Sequence, residues 1–412
     1  MKILKTLILL FTAAAGTLAA SAQLSNSAYS RIGYGLMSDN ASGAQRAMGG
    51  VGYAMQSGRQ INVMNPASYA YVDSLTFLWD VGVDFTCLWN KEGDKSGSNY
   101  GGGLDYITAL FRVSKGMGMS FGVVPFSSVG YSFGTELTNG TESRTGYGGI
   151  NELYLGWGYE PFKNFSFGAN FSYMFGTTTN TTYVNAASTT MFQRVLEVRD
   201  WNVHVGAQYG INLNRDNRIV LGAAYTPKKS FHGHTWGTYH DESQDSKLDT
   251  VGYGTLKGRY QSPQTIGAGI SFMHNDQLLV EADFLYQNWK DAKYTPLQGF
   301  ESPNMTFDNR WKAAVGLQYT PNGRTSYLQR ISYRIGGHYN HDYENISGNN
   351  VRDYGIGIGF GLPAPSSKTI INLGLEWKHR YSAPVCLIKE NYLNITLSVN
   401  FNEMWFWKRQ IQ

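Results

Sequence analysis

The sequence predicts an all-β protein: a transmembrane antiparallel β-barrel of about fourteen strands, preceded by an N-terminal segment that lacks the long alternation. Three observations carry this expectation. Apolar and polar residues alternate with a period of two from about Leu75 nearly to the end, the links between alternating segments are short at one end and long at the other, and 14% of residues are aromatic while only 16% are charged. A typical soluble domain carries about 25% charged residues. Mean hydropathy of −0.31 excludes a polytopic helical membrane protein, which needs repeated apolar runs of about 20 residues. The 28 Tyr, 21 Phe and 10 Trp exclude a disordered chain. A net charge of +4 over 412 residues is too small and too dispersed for a nucleic-acid partner. Two Cys cannot support a disulfide scaffold or a Cys-rich metal module.

Met1–Ala22 has the form of a secretory signal peptide. Lys2 and Lys5 supply the positive end, Leu7–Ala15 the apolar stretch and Ala20-Ser21-Ala22 the cleavage site, leaving Gln23 as the expected mature N-terminus. No Cys follows the apolar run, so lipid attachment there is excluded. Any membrane residence after residue 22 must then come from strands. Gln23–Asp73 lacks long alternation and holds Arg46-Ala47-Met48-Gly49-Gly50-Val51-Gly52 and Asn65-Pro66-Ala67.

The strands follow. Phe77, Trp79, Val81, Val83, Phe85, Cys87 and Trp89 alternate with Leu78, Asp80, Gly82, Asp84, Thr86, Leu88 and Asn90; Leu393, Ile395, Leu397, Val399 and Phe401 do the same against polar partners. A helix would return apolar residues at three- and four-residue steps, and these runs match the ~10 residues of a tilted membrane strand. Short links at Ser114–Gly118, Pro161–Asn164, Asn212–Asn217, His274–Gln277 and Pro363–Lys368 alternate with longer polar ones. The longer links are Lys91–Gly102, Glu136–Gly146, Thr178–Thr190, Ser230–Tyr253, Lys290–Asp308, Asp342–Asn350 and Ser382–Glu390, the outer loops of a bacterial outer-membrane barrel. Trp89, Trp311 and Trp377 fall at the expected outer rim, Trp405 and Trp407 at the inner rim. The barrel is expected over 74–402, with Glu403–Gln412 as a periplasmic tail.

A Gly/Ala-rich N-terminal segment with Asn65-Pro66-Ala67 precedes Phe121-Gly122-Val123-Val124-Pro125-Phe126, Ala282-Asp283-Phe284 with Trp289, and Gly357-Ile358-Gly359-Phe360-Gly361-Leu362-Pro363. In these pieces the chain resembles the FadL-like family of outer-membrane long-chain fatty-acid and hydrocarbon transporters. The resemblance implies that residues 23–73 fold as a plug inside the lumen. It also implies a side exit near Pro125, in the third strand. Pro has no N–H and belongs at a bulge or an unpaired edge; a harmless bulge is the alternative.

The lumen face, read from alternation, carries Asp80, Asp84, Arg112, Glu281, Asp283, Lys312, Arg334, Glu376 and Lys378. Mixed signs do not suit an ion-selective pore and are expected to pair with one another, the plug or water. Gly355, Gly357, Gly359 and Gly361 leave a bare wall against which the plug can close. Leu88, Leu110, Val124, Phe126, Met174 and Leu285, with Pro125, are the candidate hydrophobic pathway, or else anchors for the plug. Cys87 and Cys386 come near the seam between first and last strands, either as a disulfide staple or as free thiols.

No enzyme is expected. Gly118-Met119-Ser120-Phe121-Gly122 and Gly130-Tyr131-Ser132-Phe133-Gly134 match a hydrolase pattern, but both lie in strand sequence without the following helix that such a nucleophile needs. His232, His234 and His240 with Asp241, Glu242, Asp245 and Asp249 fit known metal spacings loosely; no metal or cofactor is assigned. The resemblance implies passage of small, fatty-acid-like hydrophobic molecules from outside toward the bilayer or periplasm, with outer-membrane lipid and that solute as partners. The alternative is a non-transporting barrel, a scaffold or accessory subunit of an outer-membrane secretion or barrel-assembly complex, since fold alone does not decide function. The tail, with Trp405, Phe406, Trp407, Lys408 and Arg409, would then dock a periplasmic protein.

Overall fold

The alternating segments form fourteen antiparallel strands in a computed structural model that describes residues 27–186, 188–241, 249–300, 304–321, 326–365 and 368–404. They are β1 Thr76–Glu92, β2 Lys95–Ser114, β3 Met117–Leu137, β4 Gly140–Phe162, β5 Phe165–Asn185, β6 Thr189–Asn212 and β7 Asn217–Thr226. The second half comprises β8 Gln264–His274, β9 Leu278–Asn288, β10 Arg310–Tyr319, β11 Ser332–Ile346, β12 Asn349–Pro363, β13 Ile370–Ala383 and β14 Lys389–Met404. β7 pairs with β8, and β1 pairs with β14 from Thr76↔Met404 to Lys91↔Lys389, which closes the ring. Closure matters because an unpaired N–H or C=O in hydrocarbon costs several kcal/mol. No helix among the described residues is long and apolar enough to cross a membrane.

Side chains divide as the alternation requires. On β12, Tyr354, Ile356, Ile358 and Phe360 are exposed outward while Gly355, Gly357, Gly359 and Gly361 are buried. Leu153, Leu155 and Trp157 on β4 and Val203 and Val205 on β6 are likewise exposed. A continuous apolar belt of this kind is the lipid-facing band of a membrane barrel. Trp89 and Trp377 are exposed on it, and Trp311 stacks beside Phe284 and His341; Trp405 and Trp407 lie outside the described residues.

Two expectations about the ends need correction. The polar stretches Lys91–Gly102, Glu136–Gly146, Thr178–Thr190 and Asp342–Asn350 are mostly strand, joined by tight turns such as Gly93–Asp94 and Ser347–Gly348. β3 to β6 therefore run 21 to 24 residues, about twice what the bilayer requires. Polarity marked the surroundings, water on both faces, and not a loss of ladder. Among the links expected to be long, those over 227–263 and 289–309 remain so, and part of the first, Gly233–Asp241, pairs onto β6 while Asp249–Thr255 pairs onto it in turn. Glu403 and Met404 continue β14 opposite Phe77 and Thr76 and do not begin a tail. Residues 1–22, read as a signal peptide, and 405–412 lie outside the described residues.

The unheated barrel is expected to migrate faster on gels than the boiled chain and to fractionate with outer membranes. Recovery as a soluble protein would exclude it.

Candidate functional site

The described part of the segment read as a plug, residues 27–73, packs largely against the inner wall, and the wall's glycines make room for it. A Cβ on Gly316 or Gly336 would fall 2.5 Å or 2.1 Å from Met48 backbone atoms, and one on Gly222 1.9 Å from the Tyr53 oxygen. Gly158 and Gly168 meet the Pro66 carbonyl in the same way. Asn65 is fully buried and caps the short helix Pro66–Tyr71, accepting from the Ala67 N–H. Its Nδ2 donates to the Tyr53 carbonyl at 2.7 Å and reaches the Ala207 carbonyl of β6 at 3.2 Å. The Asn65-Pro66-Ala67 segment thus joins two parts of the plug and docks them on β4–β7.

β9 supplies a second anchor. Glu281 and Asp283, two residues apart, both point inward, and successive plug N–H groups donate to them. Gly52 and Tyr53 bond Asp283 Oδ2 at 2.6 and 3.0 Å, and Ala54 bonds Glu281 Oε1 at 2.8 Å. Consecutive N–H groups of a turn converge on these two side chains, so this plug turn is held by three backbone hydrogen bonds to the wall. His204 Nε2 lies 2.9 Å from the Met64 carbonyl.

A network of charges spans the plug and the opposite wall. Arg46 bridges Asp84 and Asp105. Asp39 accepts from Arg310 at 2.7 Å and Lys312 at 2.6 Å. Arg380 pairs with Asp342 and lies 3.2 Å from Asp353, which also faces His338 at 3.3 Å. Burial pushes the Asp39 carboxyl up, but Lys312 and Arg310 outweigh it and hold it well below the usual carboxylate range. That contribution to plug docking is complete above the ordinary aspartate value of about 4 and is lost as the pH falls below it. Protease nicking of the plug is therefore expected to rise in acid, and Asp39→Asn is expected to flatten that rise. A cavity of about 220 Å³ lies within this network, lined by Asp39, Arg46, Asp84, Arg310, Lys312 and Lys378 among others, and by Pro125, Ser127 and Ser128 on its β3 side.

The outer end is covered. Tyr34 of the plug packs with Phe231, Tyr260, Trp289, Tyr294 and Tyr343, contributed mainly by the two long connections. The Tyr343 hydroxyl donates to the Gly35 carbonyl at 2.7 Å, and the Tyr294 hydroxyl to that of Gly33 at 3.1 Å.

One seam departs from full pairing. β2 and β3 pair from Ser114↔Met117 to Ile107↔Val123 and no further, and β3 bulges at Phe126 just beyond Pro125. Above the bulge the plug takes the place of β2, with Leu36 and Met37 paired to Ser128 and Ser127. Pro125 therefore sits at the point where the wall parts.

The candidate pathway residues are brought inside, and three of them, Val124, Phe126 and Leu285, line one small pocket with Met37, Tyr53 and Met64. Leu110 and Val124 pack with Ile61, Val63 and Tyr69; Leu285 packs with Tyr53 and Met64; Met174 and Phe126 join the Tyr34 cluster; Leu88 is buried on β1. Arg112 lies near the end of β2, bonded to Ser74 and Ser114. Cys87 and Cys386 are free thiols: the register sets Cys87 opposite Leu393 on the outward, lipid-facing phase, while Cys386 precedes β14 in the link beyond it. Ser120 is buried against Tyr154 and Ser132 lies on exposed strand. His232 bonds Asp200 and His234 stacks on Tyr253, while Glu242 and Asp245 lie outside the described residues. Sequence reasoning missed Asp39, Asp105, Arg310, Asp342, Asp353 and Arg380. Asp342 and Arg380 were within or beside stretches read as loops; their signal was continued alternation through polar sequence.

Fold and site together define a plugged fourteen-strand barrel of the FadL type. The chain belongs to the BamG family, whose model matches residues 3–412. Among solved structures it is similar to the toluene transporter TodX of Pseudomonas putida, at 14% identity over 90% of this chain and 100% of that one, with a TM-score of 0.61. It is also similar to the Ralstonia pickettii toluene transporter TbuX, at 16% over 88% and 98% with a TM-score of 0.58, and to a Pseudomonas aeruginosa FadL homologue, at 13% over 89% and 99% with 0.62. At these identities the likeness establishes the fold. No curated protein matches the sequence.

Proposed function

We propose that this chain is a non-conducting outer-membrane barrel, reached through a cleaved signal peptide, that serves as a scaffold or accessory subunit of a secretion or barrel-assembly complex. The observation that carries this reading is the state of the lumen. Most of its apolar residues are engaged by the plug and the outer cover; a cavity of about 220 Å³ is lined largely by charged and polar side chains, and a smaller one of about 90 Å³ mixes apolar with polar groups. An apolar solute in the larger one would cost the charges their partners without replacing them. Membership in a family other than that of the transporters whose fold it shares supports the same reading. Purification in gentle detergent is expected to recover stoichiometric partner proteins. A lone barrel with bound lipid would overturn the reading.

A second reading, lateral release of a small hydrophobic molecule into the bilayer, is favoured by the parting of β2 and β3 at Pro125. It predicts that Pro125→Val, which restores a backbone donor at the bulge, cuts hydrophobic uptake severalfold at unchanged barrel abundance. Unchanged uptake removes the gate.

A further inference from the structure

We infer that the free edge of β3, Tyr131–Leu137, is a docking site for an extended strand of a partner protein, an inference that rests on the scaffold reading. One edge of β3 is paired throughout, ending at Leu137↔Gly140 on β4. The other is served in succession: by β2 up to Val123, by the Ser38 N–H donating to the Phe126 carbonyl at 3.0 Å, by Leu36 and Met37, and by the Ser30 hydroxyl, which both donates to the Gly130 carbonyl and accepts from its N–H. Beyond Gly130 no strand among the described residues pairs with this edge.

Backbone groups alternate sides along a strand, so with Gly130 the N–H and C=O groups of Ser132, Gly134 and Glu136 face the free edge. Tyr131 donates to Asn180 Oδ1 across the inner face at 2.7 Å, which sets Phe133 and Leu137 on that same face, 36% and 43% exposed. Natural edge strands are blunted by Lys, Pro, a bulge or a cover. Tyr131-Ser132-Phe133-Gly134-Thr135-Glu136-Leu137 has no Lys and no Pro, and its single charge is Glu136.

The occupant follows from continuity. Immediately below, the plug already adds the short strand Leu36–Met37 to this same edge, so the site continues an existing strand-addition interface upward. A row of backbone donors and acceptors flanked by Phe133 and Leu137 suits a polypeptide strand with apolar residues at alternate positions. A hydrocarbon or a lipid tail could not satisfy those groups.

Hydrogen exchange of the full-length chain in its gently solubilised native complex, compared with the separated chain, tests this. The Ser132, Gly134 and Glu136 amides are expected to slow by about tenfold or more in the complex. Ser132→Pro with Gly134→Pro removes two edge-facing donors and leaves the β4 ladder intact; partner retention should fall about tenfold for two lost hydrogen bonds, with heat-modifiable migration kept. A complex that stays intact while these amides exchange as in the separated chain overturns the site and leaves the scaffold reading standing. Amides already protected in the separated chain overturn it too. A chain recovered without any partner overturns both.

Discussion

Arg380→Met is expected to destabilise the barrel by about 3–5 kcal/mol, the range for removing one member of a buried ion pair. Arg380 on β13 is 4% exposed, and the carboxylates it faces, Asp342 and Asp353, are 2% and 4% exposed. Glu344 on β11 is fully buried with neither carboxylate oxygen hydrogen-bonded, and it lies in the field of the same guanidinium. Taking away the cation leaves Asp342 with Arg310 at 3.8 Å and Asp353 with His338 at 3.3 Å as their remaining close ion-pair partners. The temperature at which the fast-migrating form disappears on gels should fall sharply. Asp342→Asn in the same chain should recover part of the loss, because it removes one of the charges that Arg380 balanced. An unchanged transition in Arg380→Met would mean that the network holds nothing together.

The second large effect is expected from Gly336→Val and Gly222→Val. Each new Cβ would fall about 2 Å from plug backbone, at Met48 and at Tyr53, a distance no side-chain rotation relieves. Overpacking of cores costs about 1–3 kcal/mol, and here it is concentrated on an element that is tethered to the wall only where it runs into β1 and is otherwise held by hydrogen bonds and ion pairs. The plug should leave its seat, giving ion conductance in planar bilayers and protease cleavage within residues 27–75. Gly252→Ala, whose Cβ would meet nothing nearer than 3.6 Å, should leave the barrel closed. Silent behaviour in both valine variants would show that the plug tolerates displacement.

The glycine stripe on β12 is legible in the sequence, because alternation alone turns Gly355, Gly357, Gly359 and Gly361 inward opposite Ile356 and Ile358. That the plug closes on it at Arg46 and Ala47 follows from the same bare wall. Lys312 and Asp84 could be placed on the lumen face by the same rule, but not paired. Their partners, Asp39 and Arg46, lie 273 and 38 residues away in sequence. The outer strand extensions were read as loops because polar sequence was equated with missing hydrogen bonds, whereas a hairpin standing in water keeps its ladder with polar residues on both faces.

The sequence by itself determined the strand segments, the side of the wall each residue faces and the presence of a non-alternating segment able to enter the lumen. These are local properties, set by period-two geometry and by the contrast between lipid and water. The tertiary structure alone decided which charges meet, where the plug turn finds Glu281 and Asp283, and why β2 and β3 part at Pro125. Those features depend on the stagger of fourteen strands around a closed ring, and a shift of one residue in register would exchange every inward partner for an outward one.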